Sequence, residues 1–187
     1  WSLLNGRLRI PAVNRLGYNP PAVVSDFLEF NGATLATSAQ AGTLGNRGIF
    51  VNTFGGTIDS GGFGPCLVLN NAETLSGSGI LALTGGGFMA IDQVQSGFTG
   101  TLQLGAGGTA RSECRFRAAP TQTFNGNFIF DDTVTDGAQM IINQQPGAIL
   151  TLAGDIALAG SPNNQAQWIS GGLGAPVTLT ETCEVTA

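Results

Sequence analysis

Short runs with apolar residues at every second position recur along this chain, and they constrain its fold more than any other feature. Their starts lie 14 to 27 residues apart. Alternation with period two indicates half-buried β-strands, and a loose period of about 20 residues is typical of a solenoid, in which stacked coils bury one continuous core. The eight runs are Leu28–Phe30, Ile49–Val51, Leu67–Leu69, Leu81–Leu83, Leu102–Leu104, Phe128–Phe130, Leu150–Leu152 and Val177–Leu179.

Glycine and asparagine separate these runs. Glycine supplies 29 of the 187 residues, often in pairs such as Gly55–Gly56 and Gly171–Gly172. Such residues adopt the left-handed backbone that tight corners need, and no segment shows sustained helical spacing of apolar residues. We therefore predict an all-β chain, a single right-handed parallel β-helix over residues 27–187, with its alternate apolar residues inward. Pairs such as Asn125–Gly126 also mark antiparallel hairpins, so a β-sandwich or jelly roll is the alternative.

Residues 1–26 lie outside this period and contain Pro11, Pro20 and Pro21. Residues 1–25 carry three arginines and no acid, a charge of +3, whereas the remainder carries four arginines and twelve acids, a charge of −8. The segment is predicted to be an extended arm that docks on the next copy, or else a cap folded onto its own coil. Its candidate contact residues are Trp1, Leu3, Leu4, Arg7, Arg9, Ile10, Arg15 and Tyr18.

The side-chain inventory excludes several kinds of chemistry. The chain contains no histidine, and all seven basic residues are arginine. Ser-His-Asp catalysis, imidazole metal sites, lysine Schiff bases and Walker-type phosphate loops are therefore excluded. A net charge of −5 argues against a nucleic-acid partner. The sequence contains no run of 18 apolar residues, so it does not predict a membrane-spanning helix. We expect neither catalytic nor cofactor-binding residues.

Acidic residues offer the remaining candidates. Asp131, Asp132 and Asp136 lie close in sequence and could supply the carboxylates of a calcium site or of a glycosidase, and a solvated turn is the simpler alternative. Because Asp131 and Asp132 are adjacent, a strand would direct them to opposite faces, which disfavours joint catalysis. Four aspartates at similar coil positions could instead line a saccharide groove: Asp59, Asp92, Asp131 and Asp155.

Arginines and cysteines give two further hypotheses. Arg115 and Arg117, together with Arg111, flank Cys114 and could bind an anionic glycan or an acidic neighbour, with Phe116 on the opposite strand face. An exposed arginine-rich strand is the alternative.

The cysteines match no zinc pattern. We predict that at least one is disulfide-bonded, within or between copies, against the alternative of three buried small apolar residues. They are Cys66, Cys114 and Cys183.

Several sequence segments resemble the autotransporter-associated β-strand repeats of bacterial passenger domains. They are Gly55–Asp59, Leu75–Leu83, Gly97–Gly105 and Ile149–Ile156, and the resemblance covers roughly residues 27–160. It implies a right-handed parallel β-helix that is exported and serves as an adhesin, surface fibre or passive stalk. It supplies no active-site residues, and cysteine is uncommon in such passengers.

Two functions follow as expectations. The first is a secreted structural β-solenoid at the cell surface or outside the cell, which assembles head to tail with other copies into a fibre, sheath or adhesive layer. The second is a carbohydrate-binding or carbohydrate-cleaving β-helix that acts on surface glycans. The second requires carboxylates and aromatic side chains on one coil face.

Overall fold

The computed structural model describes residues 1–37, 42–62, 64–105, 112–117, 121–132, 138–143, 149–160, 167–170, 178–181 and 185–186. In this part of the chain, twenty strands and one short 3-10 helix, η1, make up the regular structure. In chain order they are β1 (Ser2–Leu4), β2 (Arg7–Ile10), η1 (Val13–Leu16), β3 (Val24–Asn31), β4 (Ala33–Thr37), β5 (Arg47–Val51), β6 (Gly56–Asp59), β7 (Pro65–Leu69), β8 (Leu75–Gly77), β9 (Ile80–Thr84), β10 (Phe88–Ile91), β11 (Thr101–Leu104), β12 (Ser112–Arg117), β13 (Thr121–Phe124), β14 (Asn127–Asp132), β15 (Ala138–Asn143), β16 (Ile149–Leu152), β17 (Ile156–Gly160), β18 (Gln167–Ser170), β19 (Thr178–Glu181) and β20 (Val185–Thr186).

These strands form three walls of a parallel β-solenoid, which the chain visits in a fixed order. The first wall contains β1, β3, β5 and β8, and parallel bridges from Gly77 to Phe98 and from Gln95 to Phe124 lead on to β13, β16 and β19. The second is an eight-stranded sheet of β2, β4, β6, β9, β11, β14, β17 and β20. The third contains β7, β10, β12, β15 and β18.

Every pairing between these strands is parallel, and each strand pairs with the equivalent strand of an adjacent coil. The predicted parallel β-solenoid is therefore confirmed. A sandwich or jelly roll would require antiparallel hairpins, and the only antiparallel pairing in the described residues is the isolated bridge between Leu4 and Gly32.

Alternate residues of the predicted runs face inward, as the period-two pattern requires. All ten residues predicted to stack inside are fully buried: Leu67, Leu69, Leu81, Leu83, Leu102, Leu104, Phe128, Phe130, Leu150 and Leu152. Phenylalanine rings fill the middle of the core, where Phe124 lies 4.9 Å from Phe128 and 5.9 Å from Phe116, centroid to centroid. Burial of these side chains is the main stabilising contribution to the fold.

One corner, where the first wall turns into the second, is lined by a column of glycines in successive coils. The column consists of Gly79, Gly100, Gly126 and Gly154. A Cβ on Gly79 would lie 1.7 Å from the Asn52 carbonyl oxygen, and one on Gly100 would lie 2.1 Å from the Gly79 oxygen. These two glycines do not have left-handed φ angles. The column therefore exists because the coils approach too closely for any side chain.

Residues 1–26, predicted as an arm or cap, contribute the first coil of the same solenoid. Strand β1 pairs with β3 and β2 pairs with β4, both in parallel. Helix η1 then covers the end of the core, where Val13 and Leu16 are buried. The buried guanidinium of Arg47 donates hydrogen bonds to the carbonyls of Gly17 and Leu44 and so holds this segment in place. The segment thus packs on its own coils, and its docking on another copy stays a prediction.

Candidate functional site

The four aspartates proposed to line a groove do not converge. Asp59 and Asp131 belong to one outward column of the second wall, but β9 and β11 lie between their strands. That arrangement separates them by roughly 14 Å at the usual strand spacing. Asp92 follows β10 on the third wall, and Asp155 precedes β17. They therefore form no shared catalytic or binding groove.

The predicted calcium candidates are only partly within the described residues. Asp131 accepts a hydrogen bond from Gln103 Nε2 at 2.8 Å. Asp132 ends β14, and its side chain and Asp136 lie outside the described part. Among the described residues, no group of three acidic, cysteine or histidine side chains is arranged to hold a metal ion.

The arginines beside Cys114 are engaged by acids of the same chain. Arg115 donates from Nε to Glu113 at 2.8 Å and lies over the Phe88 ring, 3.7 Å from its centroid. Arg117 pairs with both carboxylate oxygens of Asp92, at 2.8 and 3.0 Å. Their charges are thus compensated, which argues against the anionic-glycan hypothesis. Phe116 is buried on the opposite face, as predicted, and Arg111 lies outside the described residues.

Cys66 and Cys114 are free and fully buried on the third wall. The Cys66 thiol donates to the Phe88 carbonyl at 3.1 Å. Burial raises the pKa of Cys66 to about 12 and also raises the pKa of Cys114, which keeps both thiols neutral and unreactive. Neither of these two cysteines forms a disulfide in the structure, so the prediction that at least one of the three is bridged depends on Cys183. Cys183 lies outside the described residues, and its bridging stays a prediction.

Alkaline pH should destabilise the fold through these thiols. An unfolded cysteine ionises near 9.0, whereas folded Cys66 stays neutral to about pH 12. Its stabilising contribution is therefore complete below pH 9 and is lost as pH rises from 9 to 12, by up to about 1.4 kcal/mol per pH unit for one thiol. Urea unfolding at pH 8 and 10.5 should show this loss, and C66A should show a smaller one. Iodoacetamide labelling of folded Cys66 at pH 8, followed by peptide mapping, would contradict the prediction.

Sequence reasoning missed an acidic and aromatic cleft on the first wall. A bulge in β3 places Ser25, Asp26 and Phe27 opposite Gly48, since Val24 pairs with Arg47 and Leu28 with Ile49. A Cβ on Gly48 would lie 2.5 Å from the Ser25 Cα, so only glycine admits the bulge.

The bulge opens a cleft of about 350 Å³, which is lined by Ser25, Asp26, Glu29 and Phe50. Bulges commonly re-aim side chains at binding sites. The alternation of apolar and polar residues in the sequence does not indicate the bulge in β3.

The predicted contact residues lie at the N-terminal end but differ in accessibility. Trp1, Leu4 and Tyr18 expose 63% or more of their surface. Arg7 pairs with Asp59 at 2.6 Å, and Arg9 and Arg15 are exposed. Leu3 packs partly against the core, and Ile10 is buried, so Ile10 is not available to another copy.

The opposite end exposes strand edges and a core leucine. Strand β17 pairs with β20 only through Ile156 and Ala157. Leu158, in register with the fully buried Phe130, is 43% exposed. Within the described residues, β2 and β20 each pair with a single neighbouring strand of the second wall.

The walls and ends together define a parallel β-solenoid without a convergent catalytic centre in its described residues. The chain matches no family model, no curated protein and no solved structure. No helix in the described part is long and apolar enough to cross a membrane.

Proposed function

We propose that this protein is a secreted structural β-solenoid that assembles head to tail into an extracellular fibre, sheath or adhesive surface layer. The observation that carries this proposal is the all-parallel second wall, in which β2 and β20 are the first and last of the described strands and each pairs with one neighbour. Because the whole wall is parallel, a second copy in the same orientation continues it. Repetition of such a heterologous contact produces an open filament.

The hydrogen-bonding groups of β2 are suited to such an extension. The Thr34 amide donates to the Gly6 carbonyl at 2.7 Å. In a parallel ladder, alternate residues bond to the same neighbour, so Leu8 directs its backbone to β4. Arg7 and Arg9 direct theirs away from the chain, where another strand can pair with them. An open edge of this kind is a template for strand addition.

The charge distribution along the chain favours the same head-to-tail orientation of neighbouring copies. Residues 1–25 carry three arginines and no acid, whereas residues 118–187 carry six acids and no arginine. Opposite charges at the two ends steer copies into head-to-tail contact and oppose head-to-head contact. Assembly should therefore weaken as salt rises, because the Debye length falls to about 3 Å at 1 M.

Blocking the free edge of β2 should prevent assembly without unfolding the chain. Arg9→Pro removes an outward amide and should raise the dissociation constant at least tenfold, since proline is tolerated at an edge but cannot donate to a new strand. Arg9→Gln, which removes the charge and keeps the amide, is the control. Sedimentation velocity and electron microscopy measure the outcome.

A wild-type protein that stays monomeric at high concentration would overturn the proposal. Filaments of Arg9→Pro that are indistinguishable from those of Arg9→Gln would exclude β2 as the assembling edge.

Saccharide binding is the second candidate function, and the cleft beside β3 favours it. Asp26 and Glu29 offer hydrogen-bond acceptors, and Phe50, which is 36% exposed, offers an apolar ring face. Calorimetric titration with neutral and acidic oligosaccharides tests this function. Binding should be lost in both Phe50→Ala and Asp26→Asn and kept in Phe54→Ala, whose ring lies outside the cleft. Failure of every sugar to bind excludes this function.

A further inference from the structure

The cleft beside the β3 bulge lies between two strands that each have a neighbour on both sides. Strand β3 pairs with β1 and β5, and β5 pairs with β3 and β8, so the cleft belongs to the interior of the first wall. Glu29 and Phe50 are register partners on β3 and β5, which places their Cα atoms about 5 Å apart at the usual strand spacing. The bulge adds Ser25 and Asp26 to the lining of the same cleft.

The two carboxylates of this cleft are not compensated by arginine. Within the described residues, neither Asp26 nor Glu29 takes part in an ion pair, and Glu29 accepts a hydrogen bond from the Ser2 hydroxyl at 3.0 Å. Three other acids are each paired with an arginine, namely Asp59, Asp92 and Glu113. The cleft therefore presents two uncompensated negative charges beside an aromatic ring.

The third wall contains the same combination of a glutamate and a phenylalanine, and there a cation occupies it. Glu113 and Phe88 are register partners on adjacent strands, as Glu29 and Phe50 are. The Arg115 guanidinium lies 3.7 Å from the Phe88 ring centroid and donates to Glu113 at 2.8 Å. A carboxylate and a ring face both attract a cation, so the two groups bind it together. The pair on the first wall offers this environment without a cation of its own.

We propose that the cleft beside β3 binds glycans that carry free, protonated amino groups, with the amine between the Glu29 carboxylate and the Phe50 ring. The inference rests on the saccharide binding proposed above as the second candidate function, and it identifies the class of sugar. A sugar is favoured over a peptide side chain because the cleft, at about 350 Å³, has the volume of a small-molecule site. Ser25 and Asp26 add groups that pair with the sugar hydroxyls.

Two oligosaccharides that differ only in the amine test the inference. The probes are a glucosamine tetrasaccharide with free amines and its N-acetylated counterpart, titrated calorimetrically in mildly acidic buffer that keeps the free amines protonated. The free-amine sugar should bind about tenfold more tightly, because only it carries the charge that the cleft lacks. Since this preference is electrostatic, a rise in salt from about 0.05 to 0.5 M should reduce it.

Glu29→Gln tests whether the preference arises in this cleft. The variant removes the charge and keeps an acceptor for the Ser2 hydroxyl, so it should fold normally, which circular dichroism checks. Its affinity for the free-amine sugar should fall about tenfold, while its affinity for the N-acetylated sugar should change less than about twofold. Asp155→Asn is the matched control, because it removes the charge of an exposed aspartate outside the cleft and should leave both affinities unchanged.

The outcomes separate this inference from the function on which it rests. Equal affinity for the two probes, or binding of the N-acetylated one alone, overturns the inference and leaves saccharide binding intact. A preference that is as large in Glu29→Gln as in Asp155→Asn places the amine elsewhere and also overturns it. Tighter, Glu29-dependent binding of a short lysine peptide would identify a protein ligand and overturn the glycan. If no sugar of any charge binds, both proposals fail.

Discussion

Replacing Gly79 by alanine should lower the free energy of unfolding by about 3 kcal/mol or more. The added Cβ would lie 1.7 Å from the Asn52 carbonyl oxygen and 3.1 Å from the Gly55 nitrogen, both backbone atoms of the preceding coil. Backbone atoms cannot turn aside as a flexible side chain can, so the coils must separate. Overpacking of this kind typically costs 1–3 kcal/mol and more where neighbours cannot yield. Urea unfolding monitored by circular dichroism measures the change.

Gly6→Ala is the matched control for this substitution. The same Cβ meets only an ordinary contact of 3.7 Å at Gly6. Measured on dilute, monomeric protein, its stability should lie within about 0.5 kcal/mol of the wild type. If Gly79→Ala and Gly6→Ala were equally stable, the coils could not be as close at this corner as described.

Phe124→Ala should cost about 3–5 kcal/mol, the usual range for removing a buried aromatic ring from a core. The Phe124 ring contacts three others, those of Phe98, Phe116 and Phe128, at centroid distances of 5.7, 5.9 and 4.9 Å. Its removal leaves a cavity among these rings. Denaturant titration should show a lower midpoint.

Phe54→Ala provides the comparison for Phe124→Ala. The Phe54 side chain is 77% exposed, so its removal should change stability by no more than about 0.5 kcal/mol. A loss below 1 kcal/mol for Phe124→Ala would show that this part of the core is not packed as described.

The strands and their inward residues could be predicted from sequence because alternation is a local property. A residue such as Leu102 lies between polar neighbours, and that pattern alone directs it to the core of any sheet. The number of residues in one coil was harder to predict from the spacing of these runs. The predicted runs, with starts as little as 14 residues apart, come from different walls, whereas the true repeat is seen in Gly79, Gly100 and Gly126, which are 21 and 26 residues apart. In the sequence, a glycine that is required because two coils lie too close for a side chain cannot be distinguished from a glycine that is required by a turn.

The sequence by itself determined that this chain is all-β, that alternate apolar residues of its strands face inward, and that it has no histidine or lysine chemistry. The parallel pairing in the structure decided between the solenoid and the sandwich. Only the tertiary structure shows which charged and polar side chains contact one another. Arg117 reaches Asp92 across 25 residues, Arg47 holds Gly17 across 30, and the bulge at Asp26 forms because Gly48 lies opposite it. Each of these contacts depends on which coil lies against which. Alternation within one strand does not specify such contacts, because their partners lie 25 to 30 residues away in the chain.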